Sequence, residues 1–151
     1  MFAVRPCRDS DLDRVRAINI ACLPENYPKK FWKEQFATGC PHFVAYRTSN
    51  GADSRAIVGY IAAMPCDESP VQIYSFAVRP ECRRRGVAAM LLDAMLSAAS
   101  AAALWPSISL NVRCDNTAAL ALYGKTGFVE TRRIPQYYSD GCDGLLFKKN
   151  F

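Results

Sequence analysis

"RPECRRRGVAAMLL", residues 79–92, sets three consecutive arginines and a glycine directly in front of an apolar, helix-forming run. A helix N-terminus already carries partial positive charge, so cations there are unfavourable unless an anion sits among them. The unpaired N–H groups of a first helical turn can hold phosphate oxygens. A glycine at 86 admits a close backbone approach where a Cβ would stand in the way, and arginine adds charge-assisted, bidentate contacts. In isolation the run reads more readily as a solvated basic turn, which short basic runs more often are.

Its surroundings point to phosphate. "VQIYSFAV" (71–78) reads as a strand leading into the turn. Val87, Met90, Leu91, Ala94 and Met95 recur at helical spacing, which predicts a long helix over 86–103. "RRRGVA" fits R-x-x-G-x-A between that strand and that helix. It lacks the G-K-[S/T] of a nucleotide-hydrolysing loop, so a diphosphate would be gripped there and not cleaved. That suits a carrier such as coenzyme A.

Outward from this turn, the periodicities predict the order β-α-α-β-β-β-α-β-α-β-β. "FAVRP" is a strand ended by Pro6; "DSDLDRVRAINIACL" is a helix with Asp9 or Ser10 as N-cap and Leu12, Val15, Asn19 and Cys22 on one face. "KKFWKEQF" is a second helix entered through Pro28. "HFVAY" (42–46) and "AIVGYIAAM" (56–64) are strands around the turn-rich "RTSNGADS". "SISLNV" (107–112) alternates as a strand, and "NTAALALYGKTGF" (116–128) is a helix capped by Asn116 and stopped at Gly127. "VETRRI" and "GLLFKK" are closing strands around "PQYYSDGCD". The expected fold is α/β (α+β): a single domain over residues 1–151, with helices on a mixed, mostly antiparallel sheet. A doubly wound nucleotide fold is excluded, because the first half runs strand to strand without crossover helices.

At 151 residues the chain is long enough for one sizeable core. Half of it is hydrophobic and 22% is charged, as in an ordinary globule. The net charge of +5 suits a polyanionic small ligand. It does not indicate specific nucleic-acid binding, because no aromatic platforms interleave with the basic turn. Seven cysteines stand at wide spacings with no C-x-x-C and one histidine, His42, read as structural. Zinc needs clustered ligands, and a secreted framework favours an even count. The thiols are therefore expected to be reduced, mostly small core residues, with no metal. "MFAVRPCRDSD" lacks the pattern of a signal peptide, and the apolar tract at 86–104 carries Asp93. The expected location is cytoplasmic, with no membrane span.

The strand, R-x-x-G-x-A turn and helix, followed by "LNVRCDNTAALALYGKTGF" (110–128), resemble the acetyl-CoA signature of the GNAT N-acetyltransferase superfamily. More narrowly, "CLPENY" (22–27), "LNVR" (110–113) and "QYYSDG" (136–141) resemble NatA-type N-terminal acetyltransferase catalytic subunits. "NTAALALYGKTGF" is also similar to ribosomal-protein alanine acetyltransferases.

The resemblance implies a GNAT-like domain using acetyl-CoA. The backbone of Phe76, Ala77 and Val78 would bond the pantetheine arm, and Arg83, Arg84, Arg85, Gly86, Val87 and Ala88 would hold the pyrophosphate. Asn116 would touch the cofactor, a role compatible with capping its helix. Tyr123 would meet the departing sulfur. Leu23, Pro24 and Tyr27 would wall the pocket for the first substrate residue, and Tyr137 and Tyr138 would hold the peptide backbone.

Where a base is expected the chain departs from its relatives. Asn111 stands where NatA-like proteins carry histidine and the ribosomal enzymes glutamate, and Gln72 stands near a position of histidine or tyrosine. An amide cannot take the proton, though it can orient a water. Glu25 remains as base or amine-orienting group, against the alternative of a solvated loop acid. A weak base suffices for an α-amine: with a pKa of roughly 7.7–8.0, about a tenth is neutral near pH 7, against far less of a lysine at about 10.4. Arg113 stays open between a salt bridge in the cleft and an outward position.

The resemblance implies α-acetylation of peptide or protein N-termini beginning Ser, Ala, Thr or Gly. It also implies a helical auxiliary subunit and the ribosome as partners, and a drift to acidic first residues without the subunit. The alternatives are a stand-alone ribosomal-protein enzyme, a small-amine acetyltransferase and a non-catalytic acyl-CoA sensor.

Overall fold

In the computed structural model, which describes residues 1–48, 55–67, 70–103 and 105–151, the elements follow that order. They are β1 (Phe2–Pro6), α1 (Leu12–Cys22), α2 (Lys29–Phe36), β2 (His42–Arg47), β3 (Ile57–Met64) and β4 (Val71–Val78). There follow α3 (Val87–Ala101), β5 (Ser107–Arg113), α4 (Thr117–Lys125), β6 (Val129–Ile134) and β7 (Gly144–Asn150). All seven strands join one sheet in the order β1-β2-β3-β4-β5-β7-β6, and only β4 and β5 pair in parallel. Of the expected "RTSNGADS" turn, residues 49–54 lie outside the described residues.

Strand β3 shows why the sheet needs cover on both faces. Its residues Ile57, Tyr60 and Ala62, in step across a register shift near Val58, pack with Leu12, Val15, Ile18 and Trp32 of α1 and α2. Val58, Ile61 and Ala63 pack with Val87, Leu91, Leu92 and Met95 of α3 on the opposite face. A strand buried on both faces reads as a continuous apolar run, as "IVGYIAAM" does.

Two local expectations are corrected. Neither Asp9 nor Ser10 caps α1: residues Asp9–Asp11 form a 3-10 turn, and the Asp11 carboxylate accepts from Arg8 N at 2.8 Å. Asp11 is drawn there by a two-pronged bond from the Arg5 guanidinium, at 2.7 and 2.9 Å. Nor are the thiols mostly core. All seven are free, but only Cys40 and Cys82 are fully buried.

The feature that makes a cleft lies at Tyr74. Ala62 of β3 pairs with Ser75 and Ala63 with Ile73, so Tyr74 is an extra residue in β4. Such a bulge bends its strand. Parallel pairing to β5 runs over Val71–Ile108, Gln72–Ser109 and Ile73–Leu110 and stops where the bulge begins. Beyond it the two strands diverge.

Candidate active site

The wedge between β4 and β5 opens into a cavity of about 270 Å³. Leu23, Glu25, Tyr27, Phe76, Asn111, Asn116, Tyr123, Tyr137 and Tyr138, scattered over more than a hundred positions, all line it. Pro24 does not, and is exposed in the same loop. The wall also includes Gln72, which the sequence placed near a position of histidine or tyrosine, and Tyr74, Ser75, Met64 and Ala119, for which the sequence suggested no role.

One end of the wedge is made of backbone. Arg79 N donates to Val58 O at 2.8 Å, which turns residue 79 toward β3. Polar groups alternate along a strand, so those of Ala77 also face β3 while those of Phe76 and Val78 face the gap. The Ala77 side chain is buried against α1 and α2. Val78 O accepts from Arg83 Nε at 3.0 Å, so Arg83 ties the turn to the end of β4. Arg84, Arg85 and Gly86 are exposed, whereas Val87 is buried in the core and offers only its N–H. Gly86 caps α3 with φ +80°, and a Cβ there would meet nothing within 4 Å. The first turn of α3 therefore faces open space without a side-chain cap.

Tyr123, on α4, stands between Phe128 and Phe147 with ring centroids at 5.7 and 6.4 Å. Burial pushes its phenol pKa well above 10, so the group stays protonated and able to donate. Asn116 caps α4 by accepting from Ala119 N at 3.1 Å while also lining the cavity.

The opposite end is built from the α1–α2 loop and the β6–β7 loop. Asn111 Nδ2 donates to the Tyr137 hydroxyl at 3.2 Å, and Asn111 Oδ1 is buried without a partner. Tyr137 and Tyr138 meet edge to face at 5.0 Å. Arg113, which the sequence left open, turns into the cleft: it donates to Asp140 at 2.6 Å and Asp115 at 3.3 Å and lies 5.1 Å over the Tyr138 ring. Burial, then the nearby Glu25 charge, push the Tyr138 phenol up to about 12. Burial likewise raises Tyr27, whose hydroxyl donates to Tyr74 O at 3.3 Å. His42 is held by Cys40 O at 2.9 Å and Tyr74 OH at 3.1 Å, and burial lowers its pKa to about 4. Among the described residues no group of three or more His, Cys, Asp and Glu could hold a metal ion, and no helix is long and apolar enough to cross a membrane.

The site is thus a cleft between a splayed parallel strand pair, with a basic, uncapped helix turn beside it and the tyrosines Tyr123, Tyr137 and Tyr138 in its wall. The chain belongs to the acetyltransferase (GNAT) family, whose description matches residues 12–128. It is 32% identical over 160 residues to an N-alpha-acetyltransferase of Saccharolobus solfataricus, covering 98% of this chain and 92% of that one. It is also 32% identical to the N-terminal acetyltransferase A complex catalytic subunit NAA10 of Arabidopsis thaliana, over 99% of this chain and 78% of the relative. Among solved structures it resembles Arabidopsis thaliana Naa50 in complex with the bisubstrate analogue CoA-Ac-MVNAL. That match has a TM-score of 0.81 and 25% identity, and it covers 99% of both chains.

Proposed function

We propose that this chain transfers acetyl from acetyl-CoA to the α-amine of peptide or protein N-termini. The observation that carries this is the wedge: one cavity has Phe76, Asn116 and Tyr123 at the carrier end and Glu25, Asn111, Tyr137 and Tyr138 at the acceptor end. The names of the relatives and the bisubstrate analogue on Naa50 support the same reaction.

The site fits acetyl-CoA. The open space at Gly86 and the uncapped first turn of α3 suit a pyrophosphate, held by the N–H groups of Val87 and Ala88 with Arg84 and Arg85 beside it. Arg83 acts from behind, through Val78. The gap-facing backbone of Phe76 and Val78 would bond the pantetheine amides, and Asn116 would close the other wall. Acetyl-CoA supplies a thioester, which a neutral amine attacks. Tyr123 donates its proton to the departing sulfur, and acid assistance of this kind typically gives about 10²–10⁴-fold.

At the acceptor end Glu25 orients the amine and receives its proton, and Asn111 Oδ1 accepts from the amine or from an intervening water. Tyr137 and Tyr138 hold the peptide backbone, and Leu23 and Tyr27 bound the first side chain. Small first residues, such as Ser, Ala, Thr and Gly, suit this pocket. Acidic ones do not, because Arg113, the one cation among the described lining residues, already pairs with Asp140 and Asp115. The expected setting is cytoplasmic, with nascent chains at the ribosome as substrates and a helical auxiliary subunit as partner.

The test is acetyl transfer to peptides beginning Ser, Ala, Met-Leu and Asp/Glu, and to an internal lysine, with released CoA as readout. Turnover of Ser and Ala peptides, weakened in Glu25→Gln and Tyr123→Phe, is expected. Acetyl-CoA binding with no turnover of any peptide would reduce the chain to an acyl-CoA sensor.

A further inference from the structure

Asn19 is a polar residue on the inward face of α1, among Leu12, Val15 and Ile18, and is 1% exposed. Its side-chain nitrogen donates to Glu25 O at 3.1 Å and to the Tyr60 hydroxyl at 3.1 Å, with Ser75 Oγ at 3.4 Å. Tyr60 OH and Ser75 Oγ are themselves 2.7 Å apart. Asn19 O accepts from Leu23 N at 3.0 Å. With the Asn26 amide in the orientation that satisfies both its atoms, its nitrogen donates to Asn19 Oδ1 at 3.0 Å and Leu23 O at 3.2 Å. One buried side chain thus grips the α1–α2 loop on one side and strands β3 and β4 on the other.

A buried amide left unpaired is costly, and so is a half-satisfied network. If the loop moved outward, Asn19 would lose Glu25 O and Asn26 together. The bond to Glu25 O anchors the peptide group that follows Cα of residue 25, and so the stretch of backbone that carries the Glu25 side chain. Ser75, the far end of the network, lines the same cavity as Glu25.

We propose that Asn19 is a positioning residue for acetyl transfer: through Glu25 O it holds the Glu25 carboxylate at the mouth of the cleft from inside the fold. The loop is then set in the isolated chain, without an auxiliary subunit to place it. This rests on the reading of Glu25 as the amine-orienting group, and a double-mutant cycle separates the two.

Wild type, Asn19→Ala, Glu25→Gln and the double variant are compared for kcat and both KM values on a Ser-initial peptide. A displaced reacting group can cost about 10²-fold, so Asn19→Ala is expected to lower kcat by about 10–100-fold with the acetyl-CoA KM unchanged. In the Glu25→Gln background the same change should have no further effect, since Asn19 acts through Glu25. Should Asn19→Ala not fold, Tyr60→Phe keeps the ring against Trp32 and removes the hydroxyl that bonds both Asn19 and Ser75; a loss of about 3–10-fold is expected, again absent in Glu25→Gln. Additive losses, or a full-rate Asn19→Ala beside an impaired Glu25→Gln, overturn the positioning role alone. A Glu25→Gln variant as active as wild type overturns the reading of Glu25 and this proposal with it.

Discussion

Asn111 donates to the Tyr137 hydroxyl at 3.2 Å while its own carbonyl oxygen lies buried and unpartnered in a residue that lines the cavity. One amide therefore does two things in the cleft. It orients a tyrosine of the β6–β7 loop, leaving the phenolic proton free to donate, and it leaves an acceptor for an incoming N–H or water.

Asn111→Leu removes both while keeping comparable volume. The expected outcome is a rise of about 3–10-fold in peptide KM, the range for a lost hydrogen bond. The acetyl-CoA KM should stay unchanged, as steady-state kinetics in both substrates would record. An unchanged peptide KM would take Asn111 out of acceptor binding.

Tyr123→Phe tests the acid at the carrier end. The ring contacts to Phe128 and Phe147 persist, so the melting temperature should stay close to wild type. The rate of the chemical step should fall by about 10²–10⁴-fold. A single-turnover measurement separates that loss from slower product release.

Gly86→Val tests the anion turn. At φ +80° a side chain is strained, with a cost of about 1–2 kcal/mol, and its branches would occupy the space a phosphate needs. That strain is common to the free and bound protein, so the acetyl-CoA Kd, measured by calorimetry, should weaken through the lost phosphate space. Binding of a pantetheine thioester lacking the pyrophosphate should be unaffected.

Gly144→Ala reaches the acceptor end from outside the cavity. A Cβ there would lie 3.0 Å from the Tyr137 Cβ and ring, so Tyr137 must shift, which disturbs its bond from Asn111. A higher peptide KM with an unchanged acetyl-CoA KM is expected; equal values would show that the loop absorbs the contact without moving Tyr137.

The Arg5 guanidinium holds the Asp11 carboxyl below the usual carboxylate range. A lowered folded-state pKa means stability that is present above the unfolded value of about 3.9 and lost as pH falls through the folded one. Charge-assisted bonds of this kind contribute about 1.5–3 kcal/mol. Arg5→Met should therefore be less stable than wild type at pH 7, and the gap in denaturant midpoints should close below about pH 4. A gap that persists in acid would assign the loss to packing.

Much of this molecule was legible along the chain because its signals are local. Helical spacing from Val87 to Met95, alternation in the strands, and a basic glycine turn between strand and helix depend on neighbours a few residues apart. They place the strands and α-helices in order and locate the basic glycine turn before α3. Asn116 showed its capping role for the same reason. Asp9 and Ser10 misled because the true partner of the α1 entrance, Asp11, is chosen by Arg5 across a strand end.

The acceptor cleft is different. Nothing near Tyr74 in the sequence marks it as a bulge, since a bulge is a mismatch between two strands and neither carries it alone. Only once β3 and β4 pair does β4 bend from β5 and open the wedge, bringing Glu25 to Asn111 and Tyr138. Asn19 lay in plain view at a core position of α1, a polar residue in an apolar stripe. Its partners are Tyr60 and Ser75, more than forty positions away. The sequence by itself determined the elements, their order and the basic glycine turn that enters α3. The tertiary structure decided which side chains face one another across the cleft, because hydrogen bonds between distant residues exist only after the sheet has closed.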